Sequence, residues 1–356
     1  MYEAFYQFSG QPFQLSPDPR FYFASQSHRK AMAYLVYGLN QGEGFVVVTG
    51  DIGTGKTTLL GRLIAGLDTK KYLPATVVTS QLEPTDMLRM VATAYGIAVK
   101  NEDKATLLRK IEQFLIATHQ SGRQCLLIVD EVQNVPVNSL EELRMLSNLQ
   151  FRNRSLLQTL LVGQPQFRST LARPELEQLR QRVTASYHLG PLDAQDTRGY
   201  IEHRLKLVGW KGDPEFTDDA HEQIFEHTGG LPRRINSLCS RLLLFGSLDG
   251  LHKLDGEIVK RVVEEMSREV AEVASAVGTG NGAEPPATAA AAVNGALADR
   301  VAVLERYVFA HEQTIQRALQ LLAEYLAARQ AAGGAGSPAP ADSAQSGRTG
   351  GEDETG

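Results

Sequence analysis

The chain has 356 residues, of which 42% are hydrophobic and 22% are charged, and its formal net charge is −5. This is the composition of a globular protein with room for one large domain and a smaller one. The acidic balance does not indicate a nucleic-acid-binding surface, although it leaves room for local basic patches.

Cysteine content and hydropathy exclude further classes of protein. The chain has two cysteines, Cys125 and Cys239, which excludes a disulfide framework, and neither has the spacing of a metal ligand. Cys125 begins an apolar run and is interpreted as a buried thiol. The amino terminus lacks the pattern of a secretory signal, and no apolar stretch approaches the roughly 20 residues of a membrane helix. We therefore expect a cytoplasmic protein that reaches the inner membrane only through a partner.

The first 24 residues are rich in aromatic residues and proline. They predict an irregular segment packed on the domain, which either covers the core or lines an adenine pocket. Ser25 or Ser27 then caps a helix that ends near Gln41, because apolar residues recur at helical spacing along it.

A phosphate-binding loop follows the first predicted strand. Residues 45–49 predict a buried strand, and residues 58–64 predict the helix beyond the loop. Thr58, the first residue of that helix, completes the predicted nucleotide-binding set. The loop itself fits the pattern G-x-x-x-x-G-K-[ST] without a gap, through Gly50, Asp51, Ile52, Gly53, Thr54, Gly55, Lys56 and Thr57.

The residue types in this loop suit phosphate and metal binding. Glycines at positions 50, 53 and 55 let backbone N–H groups converge on phosphates. Lys56 would reach the β- and γ-phosphates of ATP, the Thr57 hydroxyl would bind Mg²⁺, and the helix amino terminus adds a favourable dipole. The alternative is a glycine-rich turn that precedes a helix by chance.

Further strands alternate with helices along the next hundred residues. Strands are predicted at 76–79, 126–129 and 159–162, and helices at about 85–95, 104–118 and 139–149. The continuous apolar character of 126–129 indicates burial on both faces. Residues 185–188 are also strand-like. The alternation predicts an α/β P-loop domain with a parallel, doubly wound sheet over residues 1–190.

The strand pattern stops near residue 190, and a helical lid is predicted over 191–272. Asp193 and Asp255 are the expected caps of two of its helices, which are placed at about 194–208, 217–227, 232–246 and 255–270. Composition then predicts a flexible linker over 273–296 and a disordered tail over 330–356. Between them, a heptad-like spacing of apolar residues predicts an amphipathic or coiled-coil helix over 297–329.

The strand at 126–129 ends in two acids, Asp130 and Glu131. Asp130 would bind Mg²⁺, and Glu131 would polarise and orient the attacking water, because in-line phosphoryl transfer depends on positioning and charge. An acid after a strand can also be a simple helix cap. Together with the phosphate loop, the pair predicts ATP hydrolysis.

Three polar side chains further along the chain, those of Gln164, Arg182 and Arg233, are candidates for contacting a nucleotide, either in the same subunit or in a neighbouring one. Gln164 would contact the γ-phosphate or the water, unless it is only a turn residue before Pro165. Arg182, preferred over Arg180, would reach the nucleotide of a neighbouring subunit, with an exposed helix end as the alternative.

Another arginine, Arg233, lies in the first turn of a lid helix that Pro232 opens. It would contact the γ-phosphate and couple the lid to the nucleotide, whereas Arg234 is interpreted as a surface charge. The eight histidines form no cluster with the spacing of metal ligands.

These motifs, in this order, resemble those of AAA+ ATPases. Short motifs narrow the resemblance to the general secretion pathway A (ExeA-type) ATPases: Tyr-Glu-Ala-Phe-Tyr at 2–6, Pro-Phe at 12–13, Ser-Pro-Asp-Pro at 16–19, Gly-Gln-Pro at 163–165 and Gly-Leu-Pro-Arg-Arg-Ile-Asn at 230–236. The Met-Tyr-Glu start and Gly-Glu-Gly-Phe at 42–45 further resemble the secretion ATPases of exosortase (XrtA/PEP-CTERM) and exopolysaccharide loci. The resemblance covers about residues 1–270.

The resemblance implies ATP and Mg²⁺ as cofactors, homo-oligomerisation, and hydrolysis coupled to an envelope complex. Family members typically continue into a membrane helix and a peptidoglycan-binding domain, which this sequence does not show. Coupling to the membrane is therefore expected through an envelope or polysaccharide-machinery protein. Two alternatives stay open: a DNA-linked ATPase similar to transposition helpers, which the acidic balance disfavours, and a slow nucleotide switch that acts as a scaffold through 297–329.

Overall fold

The computed structural model describes residues 2–16, 18–78, 84–100 and 102–278, with side chains described as far as residue 269. Single turns of 3-10 helix occur at Pro19–Phe21, Val132–Asn134 and Pro174–Leu176. In chain order the other elements are α1 (Tyr2–Phe5), α2 (Gln26–Gln41), β1 (Phe45–Gly50), α3 (Lys56–Gly66), β2 (Tyr72–Val78), α4 (Pro84–Ala94), α5 (Lys104–Gln120), β3 (Gln124–Asp130), α6 (Val137–Ser147), β4 (Gln150–Phe151), β5 (Arg154–Ser155), β6 (Leu157–Gly163), α7 (Gln166–Leu171), α8 (Glu177–Arg180), β7 (Val183–Leu189), α9 (Ala194–Leu207), β8 (Glu215–Phe216), α10 (Asp218–Thr228), α11 (Pro232–Leu248), β9 (Lys253–Leu254) and α12 (Gly256–Gly278).

Five parallel strands form the central sheet, in the order β2-β3-β6-β1-β7. Strand β6 lies between β1 and β3, with Thr49 opposite Gly163 and Val129 opposite Leu161. The carboxyl ends of these three strands therefore meet at one edge of the sheet, where ligands bind in open α/β folds. The predicted parallel α/β fold is confirmed, and the strand-like residues 185–188 lie within β7.

Helices cover both faces of the sheet, which explains why its central strands are apolar throughout. Along β1, Phe45 and Val47 join a core shared with α4, α5 and α6, whereas Val46 and Val48 pack with α2 and α3. Cys125 is buried in the first of these cores, as its apolar context predicts, and burial raises the pKa of its thiol to about 11.

The amino-terminal segment packs against the helices that follow the sheet. Tyr2, Tyr6 and Phe13 share a hydrophobic core with α9, α10 and α11. The guanidinium of Arg204 donates to the Pro12 carbonyl at 2.6 Å. The segment therefore covers a core, and its prediction as wholly irregular was wrong at α1, where burial of an aromatic side chain stabilises a helical turn.

Some elements differ from those predicted. Strand β2 begins at Tyr72, before the predicted 76–79, and includes Pro74, which is tolerated because β2 is an edge strand. Strands β4 and β5 form a hairpin whose turn places Arg152 and Asn153 at positive φ, without the glycine that usually signals such a turn. A two-residue strand pair, β8 with β9, occurs beyond residue 190, where no strand was predicted.

Four helices, α9 to α12, make up most of the described residues after β7. The Asp193 carboxylate accepts a hydrogen bond from the Asp196 N–H at 2.7 Å, and Asp255 accepts one from the Ile258 N–H at 3.0 Å, so both predicted caps are present. Helix α12 continues to Gly278, so the first residues of the predicted linker are helical, and the predictions for 297–329 and 330–356 lie outside the described residues. In the described part of the chain, no helix has the length and apolar character needed to cross a bilayer.

Candidate nucleotide-binding site

The phosphate loop connects β1 to α3 at the carboxyl edge of the sheet. Gly50 ends β1, the next five residues form the loop, and Thr57 and Thr58 lie in the first turn of α3. The loop is braced internally, since the Thr54 hydroxyl donates to the Asp51 carbonyl at 2.8 Å. Ile52 lies at the exposed outer side of the loop. The loop therefore precedes a helix amino terminus, as the motif requires.

Lys56 is buried beneath this loop, with 7% of its surface exposed. Its ammonium donates to the Gly50 carbonyl at 2.7 Å and the Asp51 carbonyl at 2.9 Å. Burial lowers the pKa of Lys56, and the nearby carboxylates of Glu131, Asp130 and Asp51 oppose that shift. A positive charge is thus held where phosphates would enter, and two loop carbonyls fix the position of the ammonium.

Asp130 ends β3 and is buried, and its carboxylate accepts a hydrogen bond from the Glu131 N–H at 2.9 Å. Burial raises the pKa of Asp130, as does the Glu131 carboxylate, while the Glu131 N–H and Lys56 act in the opposite direction. Thr57 lies exposed at the start of α3. A hydroxyl and a carboxylate are hard oxygen donors that suit Mg²⁺, which takes few protein ligands and completes its shell with phosphates and water.

Glu131 has a left-handed backbone, with φ of 53°, and its carboxylate contacts two glutamine side chains. The Gln133 amide donates to it at 2.5 Å, and the Gln164 amide does so at 3.4 Å. The side-chain oxygen of Gln133, Oε1, in turn accepts a hydrogen bond from the backbone N–H of Gln164 at 2.9 Å. Gln133 therefore joins the ends of β3 and β6 and fixes the Glu131 carboxylate.

The close packing of Gln133 depends on Gly163, the last residue of β6. A β-carbon at Gly163 would lie 2.7 Å from the Gln133 side-chain oxygen. Sequence reasoning identified Glu131 and Gln164 but missed Gln133. A polar residue two positions after the second acid, at the end of a central strand, is the signal that would have found it.

His28 on α2 supports the phosphate loop from behind and was also missed. Its ring is buried, and its Nδ1 lies 2.7 Å from the Ser25 hydroxyl. Its Nε2 points at the loop, where it bonds the Thr54 carbonyl and lies against Gly55. A neutral ring with its proton on Nε2 satisfies both contacts, and burial lowers the pKa of His28 to about 4.

The neutral state of His28 predicts a pH-dependent stability. Between pH 6.5 and 4 the unfolded chain protonates this ring and the folded protein does not, so the free energy of unfolding falls as pH drops through that window. We expect this ring to contribute a loss of roughly 2 kcal/mol between pH 7 and pH 5. Urea unfolding at the two pH values should show a smaller loss for His28→Gln, while the control His227→Gln, at an exposed position, keeps the wild-type difference. An unchanged pH dependence in His28→Gln would contradict the assignment.

Helix α11 contacts the phosphate loop directly. The Arg233 N–H donates to the Gly53 carbonyl at 3.1 Å, and the Arg233 side chain is exposed beside the loop. Gly53 has φ of +86°, and a β-carbon there would lie 2.6 Å from the β-carbon of Arg233. The first turn of α11 therefore packs on the loop through a position that only glycine fills without strain.

Gly53→Ala is expected to separate α11 from the loop and weaken MgATP binding roughly tenfold, because a steric contact is added to an unfavourable φ. Titration calorimetry measures this change. Gly66→Ala is the matched control, since its β-carbon meets nothing within 4 Å. Equal affinity in the two variants would show that the contact does not support the site.

Arg180 and Arg182 lie near the opposite, amino edge of the sheet, far from the phosphate loop of the same chain. The Arg182 guanidinium is partly buried and donates to the carbonyl and hydroxyl of Ser147 at 3.3 and 3.2 Å. Arg180 is more exposed, and its contacts with the described residues are a 3.6 Å ion pair with Glu177 and a 3.4 Å hydrogen bond to the Ala172 carbonyl. The structure brings together the loop, both acids, Gln164 and the start of α11, and it leaves these two arginines outside that site.

Comparison with known proteins agrees with this geometry. Residues 39–171 match the family described as AAA domain. General secretion pathway protein A of Aeromonas hydrophila is 38% identical over 255 residues, which are 71% of this chain and 46% of that protein. Among solved structures, the Aeropyrum pernix ORC1 protein in complex with DNA has a TM-score of 0.54 at 17% identity, covering 75% of this chain and 72% of that one. Cdc6p of Pyrobaculum aerophilum has a TM-score of 0.53 at 14% identity, covering 74% and 70%.

The sheet order, the phosphate loop and these similarities define an AAA+ P-loop protein. Within that class the chain is related to the general secretion pathway A (ExeA-type) proteins. It spans about half the length of the family member from A. hydrophila. The structural neighbours establish the fold alone, because their sequence identity is low.

Proposed function

We propose that this chain binds ATP with Mg²⁺ and hydrolyses it. The observation that carries the proposal is the Glu131 carboxylate, held by Gln133 and Gln164 beside Lys56 and Asp130 at the carboxyl edge of the sheet. A carboxylate fixed in this way can accept a hydrogen bond from water and orient it. Simple nucleotide binding does not require such a group.

Each residue of the site has a proposed task. Backbone N–H groups of the loop and the Lys56 ammonium bind the phosphates, and Lys56 exchanges its two carbonyl contacts for phosphate oxygens. Thr57 and Asp130 hold Mg²⁺, which would neutralise phosphate charge when bound. Glu131 orients the attacking water, and Gln164 senses the γ-phosphate from the neighbouring strand end.

The helix that contacts the loop supplies a further proposed group. Arg233 is the second residue of α11, after the buried Pro232, and its side chain is exposed. A shift of α11 would move this side chain over the phosphate loop. Arg233 is therefore proposed to contact the γ-phosphate and to couple the lid to the nucleotide state. Asp51, Ile52 and Thr58 complete the proposed binding surface.

We assign the arginine that acts on a neighbouring subunit to Arg180 rather than Arg182. The Arg182 guanidinium donates to the Ser147 carbonyl at the carboxyl end of α6, whereas the Arg180 side chain is exposed. The proposed active form is thus a homo-oligomer in which one subunit completes the site of the next.

A mixing experiment tests this assignment. Arg180→Ala is expected to lower kcat at least about 100-fold with little change in ATP affinity. Mixing it with inactive Lys56→Ala protein should restore turnover, because an intact loop then meets an intact Arg180. Arg182→Ala should mainly lower the free energy of unfolding and should change kcat little. Failure to restore activity on mixing would contradict action between subunits.

The relative from A. hydrophila is a general secretion pathway protein, and the proposed biological role follows from it. We propose that hydrolysis serves a bacterial envelope secretion system, of the type found with exopolysaccharide or exosortase (XrtA/PEP-CTERM) loci. The chain would then be cytoplasmic, at the periphery of the inner membrane, and recruited there by a protein of that machinery.

Phosphate release from ATP, measured with Mg²⁺ and with excess EDTA, tests the biochemical proposal. We expect turnover with Mg²⁺ and none with EDTA. Turnover that is equal in both conditions would rule out the assigned roles of Thr57 and Asp130.

A further inference from the structure

A cavity lies at the amino edge of the sheet, at the end opposite to the phosphate loop. Its volume is about 660 Å³, and residues at the starts of β2 and β3 and in the β4–β5 hairpin line it. A smaller cavity of about 250 Å³ adjoins it through Glu43 and Ser155 and extends to Arg182. We call the two together the basic groove.

Three of the cations that line the groove have no side-chain partner among the described residues. Lys71, Arg123 and Arg154 line the larger cavity, and within the described residues none of their side chains has a hydrogen bond or ion pair with a protein group. Glu43 is the only acid among the described residues that line the groove. In a chain of net charge −5, this concentration of unpaired positive charge is unexpected.

These three cations do not serve to neutralise the negative carboxyl ends of nearby helices. Helices α2, α5 and α6 end at this edge, and a basic side chain near a helix carboxyl terminus can be stabilising there. Arg182 has this role, since it donates to the Ser147 carbonyl at the end of α6. Lys71, Arg123 and Arg154 donate to no such carbonyl among the described residues, so their donors are available to a ligand.

We propose that the basic groove binds phosphate groups, either of a single-stranded nucleic acid or of a free polyphosphate. Two guanidinium groups, an ammonium and the nearby His119 and Asn153 supply the donors that phosphate oxygens accept. The cavity volume lies in the range of small-ligand sites. Strand β3 separates Gln124 at the groove from Asp130 by about 20 Å, so this site is distinct from the phosphate loop.

The first test uses a fluorescein-labelled 20-nucleotide oligo-dT and the full chain. We expect binding by anisotropy that weakens steeply with salt and is competed by tripolyphosphate. The double variant Arg123→Glu/Arg154→Glu should bind roughly tenfold or more weakly, with a salt slope smaller by about 1.5. Lys211→Glu, at an exposed position outside the groove, is the control and should bind as the wild type does.

The second test separates the two ligand sources. Tripolyphosphate is titrated calorimetrically into Lys56→Ala protein, whose phosphate loop is disabled, and into the same protein with the two groove substitutions. Oligo-dT binding identifies nucleic acid as the source, and tripolyphosphate binding without oligo-dT binding identifies a free polyphosphate. Unchanged MgATP affinity in Arg123→Glu/Arg154→Glu shows that the variant is folded. No binding of either probe, or binding that the groove substitutions leave unchanged, would overturn the proposal without affecting the proposed ATPase site.

Discussion

Lys56→Ala is expected to weaken MgATP binding at least about 100-fold, because two charge-assisted hydrogen bonds to phosphate are lost. The structure adds a second reason. Lys56 is a buried cation that interacts electrostatically with Asp130 and Glu131, and without it their negative charge would repel the incoming phosphates. Calorimetric titration of MgATP into both proteins measures the difference.

Lys211→Ala is the matched control, because it removes an exposed lysine outside the site. It should bind MgATP as the wild type does. An affinity of Lys56→Ala within threefold of the control would show that the loop is not the phosphate-binding element.

Gln133→Ala is expected to lower kcat roughly 10- to 100-fold while leaving the affinity for MgATP nearly unchanged. The proposed role of Gln133 is to position Glu131 and not to bind phosphate. Its side-chain amide donates a 2.5 Å hydrogen bond to the Glu131 carboxylate, and its side-chain oxygen accepts one from the Gln164 N–H, which links the ends of β3 and β6. Loss of this bond frees the Glu131 carboxylate to leave the orientation that water activation needs. Steady-state kinetics over a range of ATP concentrations separates kcat from KM.

Asn134→Ala is the matched control for Gln133→Ala, since Asn134 is exposed in the same 3-10 turn. It should retain wild-type kinetics. The separation of kcat from KM gives a readout that a merely structural role would not produce, because a folding defect lowers activity together with thermal stability. A loss of kcat that only parallels a loss of thermal stability would assign Gln133 to structure alone.

Much of this site could be predicted because its chemistry constrains consecutive residues. The loop from Gly50 to Thr57 and the acids after β3 follow strands whose apolar runs are unambiguous, so motif and element indicate the same position. The parallel sheet then follows from the alternation of strands and helices.

The parts that were missed depend on contacts between distant segments. The position of Gln133 after the second acid makes it a candidate, but its role depends on β6 lying beside β3. The role of His28 depends on α2 packing behind the loop, a contact that local sequence does not indicate. The choice between Arg182 and Arg180 also depends on a distant contact, because the Arg182 guanidinium donates to Ser147 at the end of α6. The basic groove brings together side chains from positions 71, 123 and 154, which no single window contains.

The most direct measurement is steady-state ATP hydrolysis at saturating MgATP, across a range of protein concentrations, for the wild type beside Glu131→Gln. We expect wild-type turnover per subunit to rise with protein concentration, since a neighbour completes the site. We expect Glu131→Gln to lose at least about 100-fold in turnover yet keep its MgATP affinity. A wild type that binds MgATP tightly without turning it over, or a Glu131→Gln variant as active as the wild type, would contradict ATP hydrolysis at this site.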